Sequence, residues 1–272
     1  MNLKYLFKNR NIEVLDIIQF TFKYLWASRE SFLNISLPAI LILSILSTVL
    51  GIFFDPFVQS ESIEAKNTLI ISSNIIITIL ISLPIFSYFM VCFAISWHKY
   101  YLMPNQNIKI RDVYKWTEKH TKYFIFLLGL FSIIFILVFI SATFLFSILG
   151  SGVIFITLVI IIIFTSRLSF VFPAASIGNY ASFKSSWERT KGNVIKISLI
   201  FGFIWFFTSL FSLLVAQLFQ IILGNPISFL GMFVIAFVFR LLSFLSIALL
   251  VTALSILYEY LFVQKKTIDI NI

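Results

Sequence analysis

The chain has 272 residues, of which 60% are hydrophobic and only 11% charged, and its formal charge is +9. Soluble domains carry about 25% charged residues and at most about 50% apolar ones. This composition, with a mean hydropathy of +1.05, excludes a water-soluble globule and makes lipid the solvent. The basic residues sit beside apolar runs, which points to membrane lipids with anionic head groups as partners, and not to nucleic acid. Cys92 is the single cysteine and lies inside an apolar run. One thiol excludes an intrachain disulfide and a cysteine-based metal site, and it reads as a small buried side chain.

Residues 1–34 do not read as a signal peptide, because the first long apolar run starts too late and no small-residue cleavage site follows a short core. Val14, Leu15, Ile18, Phe22, Leu25 and Trp26 share one helical face, opposite Glu13, Asp16, Lys23 and Glu30. That amphipathic helix either lies in the membrane interface or packs on the inner loops.

Six apolar runs follow, each long enough for a hydrocarbon core of about 30 Å, which takes about 20 residues. They are Ile35–Phe54, Thr68–Trp97, Tyr123–Leu149, Val153 to Phe172, Ile197–Leu223 and Ser228 to Tyr258. Pro84 is expected to kink the second, and Pro173 to end the fourth, since proline cannot continue the hydrogen-bond ladder. Gly150, Ser151 and Gly152 form one tight turn, and Gly224, Asn225 and Pro226 another. The expected fold is therefore all-α and polytopic. Six transmembrane helices pair as three hairpins over residues 35–261, after a segment 1–34 and before a tail 262–272.

Charge orients the hairpins. Between the partners of the first lie Asp55, Glu61 and Glu64 against one base, Lys66. Between hairpins lie Lys99, Lys109, Arg111, Lys115, Lys119 and Lys122, then Lys184, Arg189, Lys191 and Lys196. Lys4, Lys8, Arg10, Lys23 and Arg29 precede the first hairpin, and Lys265 and Lys266 follow the last. The positive-inside rule puts both termini and these basic segments in the cytoplasm. Trp26, Trp97, Trp116 and Trp187 fall at the inner ends of spans, where an indole suits the head-group level, and read as interfacial anchors.

The stretch from Arg167 to Lys196 condenses this layout: an arginine in an apolar run, a proline, a basic segment with one tryptophan, then the next span. Tyr180, Phe183 and Trp187 share the face of a surface helix, and Gly192 can cap its end. Phe22-Lys23-Tyr24-Leu25-Trp26 matches Phe183-Lys184-Ser185-Ser186-Trp187, and Val113-Tyr114-Lys115-Trp116 matches more loosely. The hairpins thus read as a threefold internal repeat, with chance likeness of interface sequence as the other explanation.

Chemistry is sparse. The spans hold no Asp or Glu before Glu259, which removes the usual acids and bases of catalysis and of proton coupling. His98 and His120 flank the central loop and read as interface residues; two histidines alone are too few for zinc. No phosphate loop, HExxH or nucleophile elbow is present, and the serines read as helix-packing residues. No catalytic residue, metal or cofactor is expected, and an enzyme is not.

Ala94-Ile95-Ser96-Trp97-His98-Lys99-Tyr100-Tyr101-Leu102, Arg167-Leu168-Ser169-Phe170-Val171-Phe172-Pro173 and Ser186-Trp187-Glu188-Arg189-Thr190-Lys191-Gly192-Asn193 carry a resemblance. They are similar to uncharacterised bacterial six-helix inner-membrane proteins, themselves similar to the membrane domain of some glycerophosphoryl diester phosphodiesterases. The catalytic barrel of those enzymes has no counterpart here. The resemblance implies a six-helix membrane fold, facing lipid, without phosphodiesterase activity. The functional expectation is a non-enzymatic membrane protein contacting anionic lipid or an envelope partner; the alternative is a transport component, permease- or carrier-like.

Arg167 and Arg240 are the candidate site residues. Each lies about 20 Å from an outer turn at about 1.5 Å per residue, and a central arginine costs about 3 kcal/mol or more. No acid within the spans pairs with either. Two readings stand. Both snorkel to inner head groups, or both face one inner cavity and grip a lipid phosphate bidentately.

Overall fold

The computed structural model describes residues 13–54, 65–104, 110–145, 152–179, 182–223 and 228–264. Among these there is no strand, and the helices follow in chain order. They are α1 (Val14–Ala27), α2 (Arg29–Phe54), α3 (Ala65–Leu102), α4 (Ile110–Val113) and α5 (Glu118–Ile140), which continues as a π turn, Ser141–Leu145. Then come α6 (Gly152–Leu168), α7 (Val171–Ile177), α8 (Phe183–Arg189), α9 (Val194–Leu223) and α10 (Phe229–Tyr258), which ends in a second π turn, Glu259–Gln264. Six helical stretches are long and apolar enough to cross a membrane: Arg29–Ile52, Thr78–Leu102, Glu118–Thr143, Gly152–Ile177, Val194–Ile222 and Phe229–Phe262. The molecule is an all-α polytopic membrane protein. Its outer surface fits that solvent: Phe135 is 70% exposed, Phe155 73% and Ile221 79%.

The hairpin partners pack on one another, α2 on α3, α5 on α6 and α9 on α10. Helix α10 is the hub and also touches α1, α2, α3 and α7. A short helix precedes each hairpin: α1, α4 and α8. These helices mark the basic end of the bundle, and the start of α6 at Gly152 marks its far end. Tyr180, the acidic first loop (Asp55, Glu61, Glu64), Gly150–Ser151 and Gly224–Asn225–Pro226 lie outside the described residues. So do Lys4, Lys8, Arg10, Lys109, Lys265 and Lys266.

Pro173 does not end the fourth span where expected. It sits in the first turn of α7, where a missing N–H costs nothing. Its effect falls upstream, because its ring clashes with the carbonyl four residues earlier. That carbonyl belongs to Ser169, and the span breaks at Ser169–Phe170, between α6 and α7. Helix α7 then closes with Gly178 at φ 85°. Gly178 N–H donates to Ala175 O at 3.2 Å and Asn179 N–H to Ala174 O at 2.9 Å, the paired bonds of a Schellman end. Gly192, at φ 90°, turns the chain after α8 without capping it; Thr190 is the cap.

Helix α1 packs inward and does not float on the surface. It lies against α9 and α10 and buries Ile17, Ile18, Phe20, Thr21 and Leu25. Phe22 meets Phe207 of α9 edge-on at 5.4 Å. The buried face is turned from the expected one, leaving Leu15 at 67% and Trp26 at 73% exposure. Partners on two sides outweighed the simple stripe.

The densest packing lies toward the basic end. Phe93 and Trp97 of α3 stack at 6.0 Å. Phe32 of α2 meets both edge-on, and Phe244 of α10 meets Phe93 at 5.0 Å. Tyr24 of α1 joins through Tyr101 at 4.9 Å. Ser36, Ser44 and Thr48 here each donate to the carbonyl four residues back, whereas the buried Tyr101 hydroxyl has no hydrogen-bond partner among the described residues. The segment after α4 folds onto this core as well. Trp116 stacks on Tyr88 at 5.6 Å, and Tyr114 donates to Ile35 O at 2.5 Å. Burial pushes the Tyr114 hydroxyl up to about 12, so it stays a donor at neutral pH.

Candidate functional site

Arg167 ends α6 at 9% exposure. Its guanidinium carbon lies 3.4 Å from the ring centroid of Trp187. Nη2 donates to Trp187 O at 2.6 Å and Nε to Thr190 Oγ1 at 3.1 Å. Ser186 Oγ donates back to Arg167 O at 2.5 Å. This tie follows from the end of a helix, whose last carbonyls lack partners and favour a nearby cation. The side chain does run toward the basic end, yet it finishes on protein groups of α8. Arg167 therefore clamps the surface helix onto its own span.

Arg240 lies elsewhere. Its Nη2 donates to Ser47 Oγ of α2 at 2.8 Å, and its guanidinium carbon lies 5.0 Å from the Phe86 ring centroid of α3. The two arginines share none of these partners, so the contacts do not bring the pair together.

The tryptophans also divide. Trp26 and Trp116 are exposed, at 73% and 40%. Trp187 lies beneath Arg167. Trp97 is the correction: it is fully buried in the aromatic core, and its Nε1 donates to Thr252 Oγ1 of α10 at 2.8 Å. Its ring meets protein on every side, so it is no head-group anchor. His98 and His120 are corrected too, being buried and not interfacial. His98 Nδ1 lies 2.8 Å from Ser255 Oγ, and His120 Nδ1 accepts from Thr117 N–H at 3.1 Å at the start of α5. Among the described residues no group of three or more His, Cys, Asp or Glu could hold a metal ion.

The feature that residue-by-residue reading missed is a cavity of about 820 Å³ within the spans. Its walls come from α5 with its π turn, from α6, and from α9 and α10. Tyr123, Ser169 and Phe172 form its floor toward the basic end, with the Tyr123 and Phe172 rings 4.7 Å apart. Leu158, Ile162, Trp205 and Leu254 supply apolar wall, and the polar side chains are hydroxyls, Ser141, Thr157 and Thr165 among them. Among the described residues, none in the lining carries a charged side chain. The volume falls in the range of about 300–1,000 Å³ usual for small-molecule sites. Neither Arg167 nor Arg240 lines it. A sequence signal existed: Thr157, Thr165 and Ser169 lie on one side of the fourth span.

A second, smaller cleft of about 520 Å³ opens at the basic end. Lys119, Lys122 and Glu118 of α5 face Ala175, Gly178 and Asn179 at the end of α7 across it. Lys122 pairs with Glu118 at 2.7 Å.

Compared with protein-family models, with curated proteins and with solved structures, the chain matches none.

Proposed function

We propose that this protein engages lipid in a bacterial inner membrane, with both termini in the cytoplasm, and that it works by holding lipid and not by catalysis. The observation that carries this reading is the cavity inside the spans, lined along α6 from Val153 to Thr165 and, among the described residues, by apolar groups and hydroxyls without a charged side chain. Such a lining suits an acyl chain and penalises a charge. The Lys119–Lys122 cleft adds a place for anionic head groups at the basic end. The resemblance to the membrane domain of some phosphodiesterases of glycerophosphoryl diesters agrees with a lipid-facing role.

Filling the cavity tests the reading. Leu158→Trp should lower the lipid that stays bound through purification several-fold, as counted by native mass spectrometry, while the protein still inserts. An unchanged lipid count in that variant would overturn it. A second reading, a transport component, draws on the helix break at Ser169–Phe170 beside the cavity floor, since broken helices frame substrate sites in carriers. Lipid flux across reconstituted vesicles would favour it over retention.

Orientation has its own expected result. Reporter fusions at Ser60, Ser151 and Asn225 should be active only outside, and fusions at Asn105 and Ser185 only in the cytoplasm. An outward signal from Asn105 would reverse the placement.

A further inference from the structure

Thr157 stands apart from the other hydroxyls of the cavity. A serine or threonine inside a helix usually returns its hydroxyl to the carbonyl four residues back. Ser141 does so to Leu137 O at 2.8 Å and Thr165 to Ile161 O at 2.7 Å. Thr157 is 9% exposed and lines the cavity, yet its Oγ1 is buried without a hydrogen-bond partner. An unmade bond at a buried hydroxyl is costly, so the site favours a ligand that brings an acceptor.

We propose that Thr157 marks a subsite for the ester carbonyl of a glycerolipid whose acyl chain runs down the cavity to the Tyr123–Phe172 floor. This rests on the reading of the cavity as a lipid site and names the linkage it recognises. Three observations carry it. The first is charge. With no cationic or anionic side chain in the lining among the described residues, a carboxylate or phosphate at this height would be buried unpaired, whereas an ester carbonyl is a neutral acceptor. The second is depth. Thr157 lies about 8 Å along α6 from Gly152, and the interfacial layer on each side of the hydrocarbon core is about 5–8 Å thick. The hydroxyl therefore sits near the level where glycerol esters give way to chains, in the leaflet away from the basic segments. The third is length. From Thr157 to Ser169 the helix rises about 18 Å, more than half of a core of about 30 Å, which leaves room for a full chain. Across the cavity stands Ser141, in the π turn that widens the end of α5; such turns recur at functional sites.

The experiment uses the full chain in detergent, with a diacyl phosphatidylglycerol and the dialkyl ether counterpart of the same chains and head group, bound lipid being counted by native mass spectrometry. The ether lipid keeps the chains and lacks the carbonyls. The wild type is expected to prefer the ester lipid by about fivefold, the worth of one hydrogen bond. Thr157→Val, close in shape, should remove that preference, and Thr157→Ser should keep it. Equal binding of the two lipids by the wild type overturns the proposal, as does a preference that survives in Thr157→Val. A free fatty acid that competes as well as the ester lipid also overturns the ester assignment. Where Leu158→Trp lowers bound lipid but ester and ether bind alike, the cavity reading stands and this one falls. Where Leu158→Trp changes nothing, both fall.

Discussion

Arg167→Leu is expected to free α8 from the end of α6 and to lower stability by about 3 kcal/mol. Hydrogen bonds from a charged donor contribute about 1.5–3 kcal/mol each, and Arg167 makes such bonds to Trp187 O and Thr190 Oγ1. The guanidinium over the Trp187 ring adds roughly 2 kcal/mol where both are desolvated. Relief of the cost of burying the cation offsets part of this. Arg167→Lys should recover little, because an ammonium has no planar fork to serve the two acceptors and the ring together. Thermal unfolding in detergent measures the loss. Labelling of Ser185→Cys measures the release of α8, since the native Cys92 is buried. Arg167→Gln separates the clamp from the lipid-phosphate reading. A clamp predicts a lower melting temperature with anionic lipid content unchanged. Selective loss of anionic lipid from a protein of unchanged melting temperature would restore the phosphate role.

The six spans were legible because twenty apolar residues in a row answer to one cause, the thickness of the bilayer. What the ends of the spans do was harder to read, because local sequence carries several outcomes there. Trp97 and His98 sit at the end of an apolar run beside Lys99, as an interfacial residue would. What buries them is the packing of α2 and α10 around the end of α3, which no local pattern records. Pro173 was read as the end of the fourth span, but a proline acts on the carbonyl four residues before it, and so the helix breaks at Ser169 and resumes as α7. The phase of α1 was misjudged because it buries residues against two helices at once, and a single-face stripe describes only one. Arg167 and Arg240 were legible as exceptions, and their partners were not: Thr190, Trp187 and Ser47 are ordinary residues until the fold sets them opposite a guanidinium. The cavity escaped because its walls come from four separate helices, although the hydroxyls of the fourth span lay in plain view.

Trp97→Ala should be among the most damaging single substitutions in the chain, costing about 3–5 kcal/mol. Trp97 is fully buried, stacks on Phe93 at 6.0 Å and Tyr100 at 5.4 Å, and meets Phe32 edge-on at 6.0 Å. Removing the indole opens a void among rings of α1, α2 and α3 that cannot collapse into it, because the three helices are held apart by their other contacts. The bond from Nε1 to Thr252 Oγ1 goes with it. Trp97→Phe keeps much of the stacking and forfeits that bond and part of the volume, so it should cost about 1–2 kcal/mol. Trp26 supplies the contrast, since it is 73% exposed and touches Arg29 alone among the ring contacts described; Trp26→Ala in the same detergent should stay within about 0.5 kcal/mol. Two interfacial anchors would respond alike to loss of the ring. A core tryptophan and a surface one should differ by about 3 kcal/mol or more. Thermal or denaturant unfolding of the two alanine variants reads the difference directly, and equal, small shifts would return Trp97 to the head-group level.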